Sequence, residues 1–547
     1  MHRPFSARPA TPAVAKRAEN AARRPLGLFA MAVAFLLPVV FSPSTNSTFW
    51  APKAELLPVV AAVGLVQLAG HLRRNSPVRV PALAATAFLG IAALSTALAD
   101  TTNVAVFGLY GQGTGLLFVA ALVGAWALGA ALDDAERSDV GRALLAAVLV
   151  NVAFALLSTV VDLTAFDLGL YQGRAMGLLG NPIHLGAACA AGLALLVPRL
   201  AGRTAAAAVG IAAVGAAVQA SGSRSGLAAM AVVTAWGIVV LSRRLAAVLV
   251  VSLVVGLAGG WVLTEAGGGV SVSGRLAGDA GGGGIEARAS QWWSTGSAIA
   301  DQPLLGSGPG TYREATSKYR TETVAAEFGG DTYFADAHDL LVEYAATTGL
   351  LGVVAFGAWV ALAAVRARGA LAVAALAVLL VGLVEPQWVG TTPVAFLALG
   401  AAGPPGLRTS SRLVALAVIP AVVASSVFLL GDFHLHQARL DFDRPHADAA
   451  LRLLPRWPEP ATIRARIDTL PGRTQRDEAL LASARRWRLE AVERDPTDPQ
   501  LWLVLADADA TEGRREEAVR AYREVLRLNP QSARARAGLV QLGETVA

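Results

Sequence analysis

Residues 204–241 read TAAAAVGIAAVGAAVQASGSRSGLAAMAVVTAWGIVVL, two apolar runs hinged on the turn Ser221-Gly222-Ser223-Arg224-Ser225-Gly226. A membrane helix takes about 20 apolar residues, with a working range of roughly 17 to 25. The runs at 204–220 and 226–241 therefore read as short, Ala-rich spans that enter and leave a bilayer through one tight turn. That turn leaves Arg224 little chain with which to reach bulk water. An arginine near mid-membrane costs about 2.5 to 3.5 kcal/mol on insertion scales, so an anion is expected to compensate it.

The same pattern extends in both directions. Apolar runs at 25–43, 52–70, 80–98, 115–132, 143–161, 183–198, 204–220, 226–241, 245–263, 338–364, 369–384, 388–402 and 412–431 give about thirteen spans. The 547 residues are 54% hydrophobic and 16% charged, with a mean hydropathy of +0.51. That balance excludes a water-soluble domain of ordinary composition. The single cysteine, Cys189, sits inside an apolar run and founds neither a disulfide framework nor a thiolate metal site. A net charge of +6 taken alone would suit nucleic acid, but the arginines fall in short loops and in the C-terminal tail, without a basic groove of interleaved aromatics.

The arginines orient the spans, because basic residues near span ends are retained in the cytoplasm. Arg23 and Arg24; Arg73, Arg74 and Arg79; Arg137 and Arg142; Arg199 and Arg203; Arg243 and Arg244; Arg366 and Arg368; and Arg408 and Arg412 mark every second connection. Those connections are expected in the cytoplasm, with residues 1–24 as an uncleaved cytoplasmic tail. Lys53, Arg174 and Arg224 are the exceptions on the other side. The membrane domain runs from 25 to 431, with a large outer loop at 265–337. The region 432–547 is expected outside the cytoplasm, in a cell envelope whose inner membrane holds the spans.

Beyond Gly431 the pattern turns helical and charged. Trp502, Leu505, Ala518, Tyr522 and Pro530 match the spacing of a tetratricopeptide repeat, and Asp495-Pro496 and Asn529-Pro530 lie one 34-residue period apart. The segments Ala449–Pro455 and Leu480–Val492 resemble degenerate units of the same kind, which fits the need for about three stacked repeats to bury a core. Such a tail is either a structural cap or a surface that binds a partner protein.

In the long outer loop, residues 285–300 read as an amphipathic helix lying on the membrane, carrying Arg288, Trp292 and Trp293. Upstream, Gly267 to Gly284 reads as a flexible flap. Downstream, the string Asp301-Gln302-Pro303-Leu304-Leu305-Gly306-Ser307-Gly308-Pro309-Gly310 suits an anion nest. His338, in Asp336-Ala337-His338-Asp339, opens the next apolar run. Imidazole suits proton transfer near neutral pH, and the two aspartates are placed to orient it.

Together these strings resemble the O-antigen ligase and polymerase superfamily of membrane glycosyltransferases, over roughly residues 170 to 365. The matching motifs are Gly180-Asn181-Pro182, Ser223-Arg224-Ser225, Arg288 with Trp292 or Trp293, Pro303 to Gly310, and His338 followed by Glu343 and Gly349-Leu350-Leu351-Gly352. The sequence departs from the common pattern at Ile183, where a second asparagine is usual, and at Asp339, where asparagine often follows the histidine. Asp339 can only accept where an amide also donates. The resemblance implies an all-α, GT-C-like bundle of membrane helices followed by an α-helical repeat tail.

It further implies transfer of a glycan from a polyprenyl-diphosphate carrier to a glycan, lipid or protein acceptor on the outer face. His338, Arg224 and Arg288 are the implied catalytic residues, and Arg174, Asn181, Trp292, Gly308 and Asp339 the substrate-binding ones. Arginine forks suit the charge that grows on a departing diphosphate. No metal or other cofactor is implied, since Phe41–Trp50 carries no carboxylate and only Glu55 lies nearby. Partners are the lipid-linked donor, the acceptor, membrane lipid and a protein at the repeat tail. The alternatives are a repeat-unit polymerase or a protein oligosaccharyltransferase of the same chemistry, and, in another class, a non-catalytic transporter or assembly scaffold for envelope polysaccharide.

Overall fold

The computed structural model describes residues 12–277, 285–409 and 411–545, with side chains omitted for 12–24, 277, 285–288 and 411. Residues 1–11 of the expected tail, part of the expected flap (278–284) and the side chain of Arg288 therefore lie outside the described residues. Every regular element among the described residues is helical, apart from one isolated bridge, Tyr171 to Arg174.

Seven helices are long and apolar enough to cross a membrane, among them Arg79–Leu98, Asp134–Leu157, Thr204–Ser221 and Arg243–Ala266. Six further apolar helices are 10–17 residues long, including Arg224–Val240, Gly349–Ala364 and Thr392–Ala402. Local chemistry sets their ends. Asp133 and Glu136 form a reciprocal capping box on Asp134–Leu157. Ser223 Oγ accepts the Gly226 N–H to start Arg224–Val240, and Gly222, at φ +60°, closes the helix before it.

Small residues let these helices approach closely. A Cβ on Gly64 would lie 2.0 Å from the Gly124 carbonyl oxygen, and one on Gly256 would lie 2.1 Å from the Ala212 oxygen. In lipid, where no hydrophobic force drives apolar helices together, such contact supplies the association.

The connections sort into two ends. At one, Arg408 pairs with Glu136 and donates to the Ala131 carbonyl, and the Arg368 N–H donates to the Ala402 carbonyl. Leu407 packs against Gly70 there. The arginine-bearing loops thus meet one another. At the other end, Asn103 donates to the Arg456 carbonyl, Trp457 packs on Phe107 and Tyr110, and the Asn529 side chain donates to the Gly330 carbonyl. The repeat tail and the long outer loop therefore share a side.

Three expected boundaries move. The first helix runs Pro12–Val39, so it already includes much of the stretch read as a tail. The last apolar helix continues through residue 432 as Ser411–Asp441, because no cap interrupts it there; the chain breaks at Phe442, whose φ is +51°. The run at 338–364 is two helices, Leu340–Thr347 and Gly349–Ala364. Beyond the break at Phe442, Glu459–Gln475 pairs with Glu478–Arg494, and Pro499–Thr511 pairs with Arg515–Leu528. Leu505, Ala518 and Tyr522 are buried in the last pair as the repeat spacing requires.

The break between Leu340–Thr347 and Gly349–Ala364 holds the outer loop. In an unbroken helix the Leu350 and Leu351 N–H groups would donate to the Ala346 and Thr347 carbonyls. Instead they donate to Pro303 and Leu304, at 2.8 and 3.3 Å. The freed Ala346 and Thr347 carbonyls accept from the Ser307 and Gly308 N–H groups, at 3.2 and 2.8 Å. Residues 303–308 are a strap that exchanges hydrogen bonds with the broken helix. Gly306 adopts φ +63°, and a Cβ there would lie 2.5 Å from the Thr347 carbonyl carbon. Gly306→Val should therefore destabilise the protein by about 1 to 3 kcal/mol or more, read as a lower midpoint of thermal unfolding in detergent; an unchanged midpoint would contradict the tight docking.

Candidate functional site

Arg174 is delivered by a two-residue hairpin. Gln172 and Gly173 both take positive φ, +51° and +73°, and Tyr171 and Arg174 exchange backbone hydrogen bonds across them, the geometry of a type I′ turn. The half-buried guanidinium lies over the Ser221-Gly222 turn, with Nε donating to the Ser221 carbonyl at 2.8 Å. Its Nη2 is buried without a hydrogen-bond partner. Burial, and after it the like charge of Arg275, pull its pKa down to about 10, against the opposing pull of Glu385.

Two more arginines share this corner. Arg224 opens its helix beside the same turn with an exposed side chain. Arg275, in the helix Val272–Ala277, donates to the Gly222 carbonyl at 2.7 Å. Glu385, 5% exposed, lies nearby, with Oε1 3.5 Å from Ser225 Oγ. Among the described residues, Arg174, Arg224 and Arg275 gather at this turn with Glu385 close by.

His338 occupies a different corner. Its φ of +51° is uncommon for a residue with a Cβ, and strained backbone of this kind persists where the surroundings enforce it. They do so from several sides. The His338 N–H donates to Asp336 Oδ1 at 3.0 Å, the Ala337 N–H donates to Glu343 Oε2 at 2.8 Å, and Asp339 Oδ1 caps Leu341 and Val342. The helix Ile285–Asp301 clamps the turn from above. Gln291 donates to the Asp336 carbonyl and Trp292 Nε1 to the Ala337 carbonyl, both at 2.8 Å. The ring Nδ1 is buried and lies 3.4 Å from Asp336 Oδ1 without a hydrogen bond to it.

The two corners are joined through one short connection. Pro386 and Gln387 line the small slot beside His338, together with Thr114, Asp336, Asp339 and Glu343. Glu385, one residue earlier, faces Ser225 and Arg174. Sequence reasoning passed over Glu385, although a lone carboxylate between two apolar runs is the same signal that singled out Arg224.

The structure gives several expected site residues other work. Asn181 Oδ1 accepts the Ile183 N–H at 2.8 Å and caps Pro182–Leu196. Asp339 is likewise a helix cap, a task a carboxylate performs as well as an amide. Trp292 positions the His338 turn. Gly308 is buried, and its N–H is spent on Thr347, as that of Ser307 is on Ala346, so the expected anion nest is a strap. Arg288 lies one helical turn before Trp292 in Ile285–Asp301, on the same face of the backbone spiral. Lys53, unexpected on its side by charge, is fully buried, with Nζ bonded to the Val40 and Leu178 carbonyls.

The tail meets the outer loop at a buried charge cluster. Arg313, 11% exposed, reaches Asp495 at 2.5 Å and Asp498 at 2.8 Å, with Glu314 beside it. Burial and the neighbouring Asp495 and Asp498 push the Glu459 carboxyl up to about 8.

A family model described as O-antigen ligase matches residues 207–357, which include Arg224, Arg288, the strap and His338. A tetratricopeptide repeat model matches residues 499–542. No curated protein matches the chain. Fold and site define a multi-helix membrane protein. The matches make the likeness narrower: residues 207–357 are similar to O-antigen ligases and residues 499–542 to a tetratricopeptide repeat, the two resemblances that the motifs indicated.

Removing Arg313 leaves Asp495 and Asp498 buried without their cation, so Arg313→Ala should loosen the docked tail by about 3 to 5 kcal/mol, seen as faster protease cleavage after Asp441. The docked tail adds burial to Glu459 and so favours its protonated form, over a window that ends at about 8 and begins above 4.5 because Asp495 and Asp498 stay beside it in the released tail. Its hold is therefore fullest below that window and weakens as pH rises through it. Glu459→Gln should flatten this dependence in the same cleavage assay.

Proposed function

We propose that the protein transfers a glycan from a polyprenyl-diphosphate carrier to an acceptor at the outer face of the cell membrane, in the manner of an O-antigen ligase. The observation that carries this reading is the Glu385–Gln387 connection, which runs from the arginine corner to the His338 slot. The diphosphate sits at Arg174, Arg224 and Arg275, with Arg288 brought from the loop helix. The acceptor hydroxyl lies against His338 Nε2. As its oxygen bonds to the anomeric carbon, the carbon–oxygen bond to the diphosphate breaks, the hydroxyl proton passes to Nε2, and the negative charge departs with the carrier. Arginine forks suit that charge, and the step needs no metal.

In this reading all thirteen apolar helices cross the membrane, the arginine-bearing loops face the cytoplasm and the repeat tail lies outside. A reporter fused after residue 545 should be active only if it functions outside the cytoplasm. Activity of a cytoplasmic reporter at that point would reverse the orientation.

His338→Ala should lower transfer from a polyprenyl-diphosphate glycan in vesicles by about 10²- to 10⁴-fold. Arg224→Ala and Arg288→Ala should each lower it by about 10²- to 10³-fold, with insertion unchanged, and Arg224→Lys should restore little because a point charge lacks the fork. Wild-type rates in all three alanine variants would end the catalytic assignment. In a deletion strain, a long unattached lipid-linked glycan supports a ligase, whereas single units still attached to the acceptor support a polymerase.

A further inference from the structure

A cavity of about 350 Å³ lies where the connection at 99–114, the long loop at 265–337 and the repeat tail meet. That volume is within the range of small-molecule sites. Gln112 lines it from the connection at 99–114, Tyr333 from the long loop, and Trp457, Glu459, Asp498 and Gln500 from the tail. Aromatic faces beside amides and carboxylates match a sugar ring, which is apolar across its C–H faces and rimmed by hydroxyls. Glu459 Oε2 is buried and has no hydrogen-bond partner within the protein.

The cavity adjoins the His338 slot on two strands of chain. Gln112 and Ala335 line the cavity, while Thr114 and Asp336 line the slot. Charge differs sharply between the two sides of His338. On the far side of the slot stand Arg174, Arg224 and Arg275. On the cavity side, Arg313 and Arg494 stand with Asp495, Asp498, Glu314 and Glu459, Arg494 donating to the Trp457 carbonyl. The arginines there are matched by carboxylates, so phosphate is favoured on the arginine side of His338.

We propose that this cavity holds the neutral, hydroxyl-rich sugar residues of the acceptor glycan, so that the repeat tail forms part of the transfer site. The inference rests on the transfer reading above and deepens it. The tail's buried ion pairs then hold a wall of the acceptor site in place.

The test is saturation-transfer NMR on the full-length protein in detergent, with lipid-free disaccharides to tetrasaccharides of neutral hexoses or N-acetylhexosamines, and uronic-acid oligosaccharides of the same lengths. At least one neutral oligosaccharide should receive saturation. Its affinity should fall about tenfold or more in Gln112→Trp, which fills the cavity, and in Glu459→Gln. Gln112→Ala, checked by thermal unfolding to be folded, should weaken it in the same direction. His338→Ala should leave it unchanged. Neutral binding that survives in a protein without transfer activity removes the transfer reading and keeps the sugar site. Failure of every neutral oligosaccharide to bind, equal binding in all three cavity variants, or equally tight binding of the uronic-acid series would overturn the proposal.

Discussion

The hydrogen-bond exchange between the broken helix at Thr348-Gly349 and the strap at 303–308 is the constraint on which the rest of the site depends. A helix interrupted near the membrane leaves polar backbone groups that must find partners, since lipid supplies none. Here the two missing helical bonds are replaced by four to the strap, and Ser95 Oγ adds a further bond to the Thr347 carbonyl at 2.9 Å. The price of the break is thereby met within the protein. The strap in turn fixes Tyr312, whose hydroxyl bonds Gln291 and Thr295. Gln291 and Trp292 then hold the turn that sets His338 at positive φ.

Charge is the second organising element. Arginines collect at the turn between Thr204–Ser221 and Arg224–Val240, and carboxylates collect where the tail docks. Each group is partly balanced, by Glu385 in one case and Arg313 in the other. Like charges held close together raise one another's energy, and an arrangement of that kind favours ligands of the opposite sign.

The repeat tail is attached by specific polar contacts on several fronts. Arg313 binds two tail aspartates, Asn529 and Gln500 donate to the outer-loop carbonyls of Gly330 and Asp331, and Trp457 sits among Phe107, Tyr110 and Phe428. Contacts so distributed over the connection at 99–114 and the long loop leave the tail little freedom to move independently of the bundle.

Runs such as 80–98 and 204–220 are legible in the amino-acid order because a bilayer accepts only long apolar helices, and the 34-residue spacing from Pro496 to Pro530 identifies the last repeat because each helix pair must present the same small and large residues to its neighbour. Arg224 and His338 were legible as charged or titratable residues where apolar neighbours make them costly. The partners were not: Glu385 is 160 residues from Ser225, and Thr347 is 39 from Gly308. Local pattern determined which segments are helices and which residues are chemically unusual. Tertiary structure alone decided that Gly308 and Asn181 serve the backbone, that Trp292 holds a turn, and that the tail walls a cavity, because those roles depend on which hydrogen-bonding groups distant segments leave unsatisfied when they pack.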